Sequence, residues 1–155
     1  MLPQLETTPV REFLDDLCVA ILDVEGGLSV PLYGTMICGL GARLEETEDE
    51  LDEDSVRRMF AGSLEEISAV TKAKAGDQTM MDALIPAAEA AQTAEGDVKA
   101  ILRAAAEVAE AGAKASEGFV PKVGCTRNDK EQTIGTPDVG AVSVSLFIRG
   151  LEQGL

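Results

Sequence analysis

The stretch Ala75-Gly76-Asp77-Gln78-Thr79-Met80-Met81-Asp82-Ala83-Leu84 lies at the middle of the chain and has the form of a loop that turns into a helix. Gly76 gives the backbone freedom at the turn, and the carboxylate of Asp77 is expected to accept amide hydrogens of the first helical turn. From Met81 onward, apolar residues recur every three to four positions, which predicts one buried helix face. Both an ordinary capped helix and an anion or nucleotide site fit this pattern.

Apolar residues recur with the helical period along most of the chain, and no stretch reads as a credible strand. Aromatic residues make up only 3% of the chain, so the core must be built from small and aliphatic side chains that favour packed helices. We therefore predict an all-α fold, a single helical domain over residues 1–155. The predicted helices run approximately from Val10 to Val24, from Pro31 to Leu44, from a cap at Asp54 or Ser55 to Thr71, from Thr79 to Ala94, from Val98 to Ser116, and from a cap at Asp138 to Gln153.

Two helices carry expectations about packing. The second predicted helix contains Gly34, Gly39 and Gly41, and each glycine costs about 1 kcal/mol relative to alanine. Three such residues predict that another helix packs closely on that side. In the last predicted helix, Val142 and Leu146 are expected to face the core, with Phe147 as a further candidate.

The balance of charge excludes one class of partner. The formal charge is −15, so the phosphates of a nucleic acid would be repelled. Much of the acidic excess lies within residues 45–54. That run lacks the alternating spacing and central glycine of a calcium loop, and it is predicted to be a solvated loop.

The cysteine and histidine content limits the kinds of metal site and catalysis that the chain can have. The three cysteines, Cys18, Cys38 and Cys125, are odd in number and lack metal-ligand spacing, which predicts a reducing, cytoplasmic location. Cys18 and Cys38 are expected in the core. The absence of histidine excludes histidine acid–base catalysis and histidine metal ligands. Neither a signal peptide nor a membrane-spanning apolar run is apparent.

Two further stretches lie on either side of the central one: Gly26-Gly27-Leu28-Ser29-Val30-Pro31-Leu32-Tyr33-Gly34 and Thr133-Ile134-Gly135-Thr136-Pro137-Asp138-Val139-Gly140-Ala141. In this order, the three blocks resemble the nucleotide-binding (L-type) subunit of dihydroxyacetone kinases, whose pattern reads GG-x-SG-PLYG, GDKTM-x-D and IG-xx-DPGA. The resemblance extends from about Gly26 to the C-terminus. It implies an antiparallel barrel of about eight helices, of which the helices predicted here would form an incomplete version.

The resemblance also implies a site and a cofactor, ADP or ATP bound at one rim of the barrel. Magnesium in that family is held by an aspartate cluster of the form D-x-D-x-x-x-N upstream of the GG-x-SG block. Here Asp15, Asp16 and Asp23 precede that block without matching the pattern, so a magnesium site is doubtful and no residue is assigned a catalytic role. The residues implied to contact nucleotide are Gly27, Leu28, Ser29, Gly76, Thr79, Met80, Asp138, Val139 and Gly140.

Several positions depart from the family pattern. Val30 replaces the glycine of SG, Gln78 the lysine of GDKTM, and Val139 the proline of DPG. Cys125 stands where an arginine is expected, with Arg127 nearby. Most positive charges that would contact phosphates are therefore missing. The residues typical of the family's fold are retained better than those typical of its phosphoryl transfer.

Three functions remain open. The first is the ADP/ATP-binding subunit of a dihydroxyacetone (glycerone) kinase, which would contribute to phosphoryl transfer to a small ketose and be inactive alone. The second is a non-catalytic regulatory or binding module on the same scaffold, and the third is a helical domain with coincidental motifs. An incomplete barrel would expose apolar faces. We therefore expect a homo-oligomer or a complex with the substrate-binding kinase subunit.

Overall fold

The described residues of this computed structural model, 8–27, 29–122 and 134–155, form α-helices and one short 3₁₀ turn, with no strand among them. The all-α prediction with about six helices is therefore confirmed. Most predicted boundaries lie within two residues of the observed ones. The helices are α1 (Val10–Leu22), α2 (Ser29–Ala42), α3 (Glu53–Val70), α4 (Met81–Thr93), α5 (Val98–Ala115) and α6 (Val139–Gln153), with the 3₁₀ turn at Ser116–Gly118.

The chain divides into two compact units. The first ends at Thr71 and contains α1 to α3, and the second begins at Lys72 and contains α4 to α6. Each unit has buried apolar side chains of its own. None of the described helices combines the length and the apolar character needed to cross a lipid bilayer.

In the first unit, α2 packs against both α1 and α3. A Cβ atom added at Gly39 would lie 2.5 Å from Ser63 Cα and 2.7 Å from Gly62 O, both on α3. A Cβ atom at Gly41 would lie 3.3 Å from the Leu14 side chain on α1. The prediction that the glycines of the second helix permit close packing is confirmed, because side chains at these positions would meet the neighbouring helices.

A disulfide joins α1 to α2 in the first unit. It links Cys18 to Cys38, whose Cα atoms are 5.2 Å apart, a separation typical of disulfides. Cys18 is buried, as predicted, whereas Cys38 is only half-buried. The expectation of reduced cysteines did not anticipate this pairing, because the two residues are distant in sequence and meet only when α1 folds back on α2.

In the acidic run at positions 45–54, every acidic residue except Glu48 is exposed, as predicted for a solvated loop. Glu48 accepts hydrogen bonds from the hydroxyl of Ser55 and from Arg58 Nη2, the latter at 2.8 Å. The Ser55 hydrogen bond is the main cause of the lowered pKa of Glu48. The cap of α3 is Asp52, which accepts a hydrogen bond from Ser55 N at 2.7 Å. The predicted caps, Asp54 and Ser55, lie instead within the helix.

In the second unit, α5 packs against both α4 and α6. Alanine dominates the contact, and Ala87, Ala91, Ala105 and Ala109 have no exposed surface. A Cβ atom added at Gly112 of α5 would collide with the carbonyl oxygen of Asp82 on α4. The small residues thus let the two helices approach at backbone distance near the start of α4.

The inward face of α6 differs from the predicted one. Leu146 is 63% exposed, whereas Ala141, Val144 and Ile148 are buried. Val142 is half-buried. The apolar residues of α6 follow the helical period but occupy more than one face of the helix, so the pattern alone does not identify the buried face.

Candidate functional site

The loop between α3 and α4 contains two residues with left-handed backbone, Gly76 (φ 90°) and Gln78 (φ 56°). Glycine adopts this conformation at no steric cost, whereas it is uncommon for glutamine. The helix that follows begins at Met81, with Met80 at the N-cap position. The loop therefore extends two residues beyond the predicted helix start at Thr79.

Asp77 does not cap α4, contrary to the prediction. Its carboxylate accepts a hydrogen bond from Lys74 N at 2.9 Å and forms an ion pair with Lys122 Nζ at 3.1 Å. The hydrogen bond from Lys74, followed by the interaction with Lys122, lowers the pKa of Asp77. Asp77 therefore holds the loop together instead of satisfying the helix start.

The loop before α4 is held to the first turn of that helix by Asp82, which is 3% exposed. Its two carboxylate oxygens accept hydrogen bonds from Gly76 N at 2.5 Å and from Thr79 N at 2.8 Å. The hydroxyl of Thr79 accepts a hydrogen bond from Met81 N at 3.2 Å. Thr79 and Asp82 thus act reciprocally, as in a capping box, and an acidic group occupies the helix start.

The loop before α6 is held in a similar way. Asp138 caps α6, as predicted, and accepts a hydrogen bond from Ala141 N at 2.8 Å. Its own amide donates to the hydroxyl of Ser116 at 2.8 Å, and Gly135 N donates to Glu117 O at 3.0 Å. The 3₁₀ turn after α5 therefore anchors this loop.

The two loops of the second unit lie side by side. A Cβ atom added at Gly140 would lie 3.3 Å from Met80 Cβ and 3.4 Å from Met80 N. The side-chain amide Nε2 of Gln78 donates a hydrogen bond to Thr136 O at 3.1 Å. Two blocks of the family pattern that are distant in sequence are thus brought together. Of the predicted site residues, this region includes Gly76, Thr79, Met80, Asp138, Val139 and Gly140.

The electrostatics of this region are acidic. Burial raises the pKa of Asp138, and the nearby Asp82 carboxylate raises it further, against hydrogen bonds from Ala141 N and Gly140 N that lower it. A cavity of about 220 Å³ in the second unit is lined by Gly76, Asp82 and apolar side chains that include Ile85 and Phe119. An anion entering this region would meet carboxylates at both helix starts.

The remaining predicted site residues lie in the first unit, before α2. Gly26 and Gly27 are exposed, and α2 begins at Ser29. A Cβ atom at Gly27 would meet nothing within 4 Å, and the first turn of α2 contains no acidic residue. Leu28 lies outside the described residues, as do Cys125 and Arg127.

Comparison with known proteins agrees with this arrangement of blocks. The family model described as the DAK2 domain matches residues 1–153. The chain belongs to the DAK2 domain family. The match extends beyond Gly26, where the predicted resemblance began, and it confirms the predicted relationship to dihydroxyacetone kinases, whose sequences are among the relatives of this DAK2 domain.

Two relatives with sequences similar to this DAK2 domain are named as a kinase and as a kinase subunit. It is 34% identical over 127 residues to a D-erythrulose kinase of Mycolicibacterium smegmatis, covering 80% of this chain and 22% of the kinase. It is 30% identical over 137 residues to the PEP-dependent dihydroxyacetone kinase 2, ADP-binding subunit DhaL, of Listeria innocua, covering 87% of this chain and 63% of that subunit. The chain thus spans less than two thirds of each relative.

A solved structure supports the fold. The crystal structure of the dihydroxyacetone kinase of C. freundii in its native form matches with a TM-score of 0.62 and 23% identity. The match covers 94% of this chain and 24% of the kinase chain. This likeness establishes the helical fold of the DAK2 domain.

Sequence reasoning missed two functional details of the second unit. The role of Asp82 was signalled by the spacing Thr79-Met80-Met81-Asp82, which resembles a capping box. The hydrogen bond from Gln78 to Thr136 had no such signal, because its two partners belong to different loops and no local pattern relates them.

Proposed function

We propose that this DAK2 domain binds ADP or ATP as the nucleotide-binding component of a dihydroxyacetone-kinase-like phosphotransferase acting on a small ketose. The observation that carries the proposal is the contact of Met80 with Gly140, which joins two blocks that the family resemblance assigns to nucleotide. The Listeria innocua relative, named as an ADP-binding subunit, supports it. The ketose follows from the dihydroxyacetone and erythrulose kinases among the relatives.

The charge at each helix start suggests which kind of group that helix start could bind. Asp82 and Asp138 occupy the starts of α4 and α6 with carboxylates, which disfavour a phosphate there. The start of α2 carries no acidic residue in its first turn, and a helix start favours anions. We therefore assign phosphate to Gly27, Leu28 and Ser29. In the second unit, taken by itself, Gly76, Thr79, Met80, Val139 and Gly140, with Asp138 at their edge, are proposed to contact an uncharged group of a nucleotide.

Magnesium has no evident ligand set within the part of the chain that the structure describes. No group of three or more histidine, cysteine, aspartate or glutamate side chains there is arranged to hold a metal ion. The carboxylates of Asp82 and Asp138 already accept backbone hydrogen bonds. No step of the proposed function is therefore assigned to a metal bound by these residues.

The nucleotide affinity can be tested at Ser29. We expect Ser29→Glu to weaken ADP binding, measured by isothermal titration calorimetry, by about tenfold, since a charge close to a phosphate costs about 1 kcal/mol or more. A glutamate in the first helical turn stabilises the helix, so weaker binding would not reflect loss of α2.

Ser68→Glu is the matched control, because it makes the same change on the exposed surface of α3. Its ADP affinity should equal that of the unmodified chain. Equal affinities of the Ser29 and Ser68 variants would reject the phosphate assignment, and no heat of binding from the unmodified chain, with or without magnesium, would reject the nucleotide proposal itself.

The second candidate is a non-catalytic binding module on the same scaffold. The acidic helix starts favour it, since phosphoryl transfer relies on positive groups that stabilise the phosphates. We expect this chain alone to phosphorylate dihydroxyacetone far more slowly than about one turnover per second. Addition of a substrate-binding kinase subunit separates the two functions, because only the kinase component would then gain activity.

Self-association of this DAK2 domain is a further proposal. Val19, Leu22 and Val24, in α1 and just after it, are all about half exposed or more, at 66%, 47% and 58%. Exposed apolar side chains close together are typical of an interface. Sedimentation equilibrium measures the assembly state directly, and a monomer at all concentrations would reject a homo-oligomer.

A further inference from the structure

Gln78 combines two features that its sequence position does not predict. Its backbone is left-handed, with φ at 56°, a conformation that glycine would adopt with less strain. Its side chain is 2% exposed, although glutamine is usually found at the surface. A buried polar side chain on a strained backbone indicates that the side chain has a specific role.

The partner of the side chain suggests that role. Gln78 Nε2 donates to the carbonyl oxygen of Thr136 at 3.1 Å. The loop that contains Thr136 is also tied to the end of α5, through Gly135 N to Glu117 O at 3.0 Å and Asp138 N to Ser116 Oγ at 2.8 Å. This loop is therefore held from the α5 side by backbone and hydroxyl groups, and from the α4 side by Gln78.

We propose that Gln78 is a positioning residue that joins the loop before α4 to the loop before α6 and so sets the position of Met80 against Gly140. Position 78 then acts through a neutral hydrogen-bond donor. The side chain of Gln78 is buried and directed at Thr136 O, so its proposed role in this chain is a contact between loops. The proposal rests on the proposed nucleotide function only in its effect on ADP affinity.

Three variants at this position separate the side chain from the backbone. Gln78→Met keeps the length and most of the volume but has no donor, whereas Gln78→Gly removes the side chain and relieves the left-handed backbone. Gln78→Lys restores a donor of similar reach, next to the acidic Asp77. If Gln78 served only to shape the turn, the glycine variant would behave like the unmodified chain.

The first measurement is amide hydrogen exchange at Gly135 and Asp138, compared with exchange in the middle of α5. In Gln78→Met and Gln78→Gly we expect exchange of these loop amides to accelerate about three- to tenfold, the equivalent of one hydrogen bond, with exchange in α5 unchanged. Gln78→Lys should return the loop amides to within about twofold of the unmodified chain. A loss of overall stability would instead accelerate exchange throughout the unit.

The second measurement is ADP affinity. We expect Gln78→Met and Gln78→Gly to weaken it about three- to tenfold, and Gln78→Lys to recover most of the loss. Unchanged exchange at Gly135 and Asp138 in Gln78→Met would overturn the positioning role, as would a Gln78→Lys variant as fast as Gln78→Met. If the unmodified chain does not bind ADP, the nucleotide proposal fails, and the exchange result still decides the role of Gln78.

Discussion

In the unit that begins at Lys72, the starts of α4 and α6 carry the carboxylates of Asp82 and Asp138, whereas the first turn of α2 in the other unit has no acidic residue. The loops are also held differently. Hydrogen bonds of buried side chains hold those of the second unit, and a disulfide joins the helices on either side of the loop before α2.

The two units therefore differ in the kind of group that their helix starts favour. A phosphate needs a helix start that no carboxylate occupies, and the first unit has one. In the second unit, carboxylates occupy the starts of α4 and α6, and buried hydrogen bonds hold the loops that precede these helices. The first unit should therefore respond to reduction of its disulfide. In the second unit, burial of Asp138 adds a response to pH. Close helix packing at glycine occurs in both units, at Gly39 in the first and at Gly112 in the second.

The largest effect is expected at Gly112. Its Cβ position is occupied by the backbone carbonyl of Asp82, which cannot move without separating α4 from α5. Gly112→Ala should lower the free energy of unfolding by about 3–4 kcal/mol, measured by urea denaturation followed by circular dichroism.

Gly34→Ala is the matched control in the first unit. An added Cβ atom there would contact the side chain of Leu22, which is 47% exposed and can rotate away. Its stability should change by less than about 1 kcal/mol, because alanine also favours the helix. If both variants lost the same free energy of unfolding, the collision with a backbone atom at Gly112 would not be the cause of the loss.

Reduction of the disulfide should have the next largest effect on the free energy of unfolding. Cys18 and Cys38 are separated by 20 positions in sequence, and closing a loop of this length stabilises a fold by about 3 kcal/mol. Reduction should lower the free energy of unfolding by about this amount, and thiol titration of the denatured chain should find two more thiols after reduction than before.

The double variant Cys18→Ser, Cys38→Ser should be insensitive to reductant, whereas Cys125→Ser should keep the full response. A chain whose stability is the same with and without reductant, although its thiol count changes, would contradict a stabilising role of this link in the first unit.

The smallest effect concerns Asp138 and depends on pH. Burial raises the pKa of Asp138 above the ordinary value of 3.8, so the folded state holds this proton more tightly than the unfolded state. Its contribution to stability is therefore lost as pH rises from 3.8 through the raised pKa. Asp138→Asn keeps a capping oxygen without the charge and should stabilise the chain at pH 7 by up to about 1 kcal/mol.

That gain should vanish at a pH below 3.8, where Asp138 is protonated in both states. Asp97→Asn is the control, since Asp97 caps α5 at an exposed position through Ala100 N at 2.9 Å. The Asp97→Asn variant should show no increase in stability at pH 7. A less stable Asp138→Asn variant at pH 7 would mean that the charge itself supports the start of α6.

Local patterns in the sequence were sufficient for much of the fold. The period of apolar residues predicted the helices, and the cap Asp138 was predicted from a polar residue just before an apolar stripe. The glycines of α2 predicted close packing. These features depend on residues within a few positions of one another, so the sequence carries them directly.

The candidate site was predictable in part. The family blocks located the loops before α2, α4 and α6, but the carboxylate at the start of α4 was assigned to Asp77, whose partner is Lys74 N. Asp82 takes that place because the loop turns back at Gly76 and brings its amide to the helix. Whether Asp77 or Asp82 lies at the start of α4 depends on the path of the loop, and the local sequence around either residue does not determine that path.

By itself, the sequence determined the helices, most of their ends and the family, because helical period, capping and block order are local or linear properties. The tertiary structure alone decided that Cys18 meets Cys38, that Gln78 reaches Thr136, and that Leu146 faces solvent. Each of these depends on which helix faces or loops meet after folding. Many arrangements share the same local pattern, and only packing of the whole unit selects one.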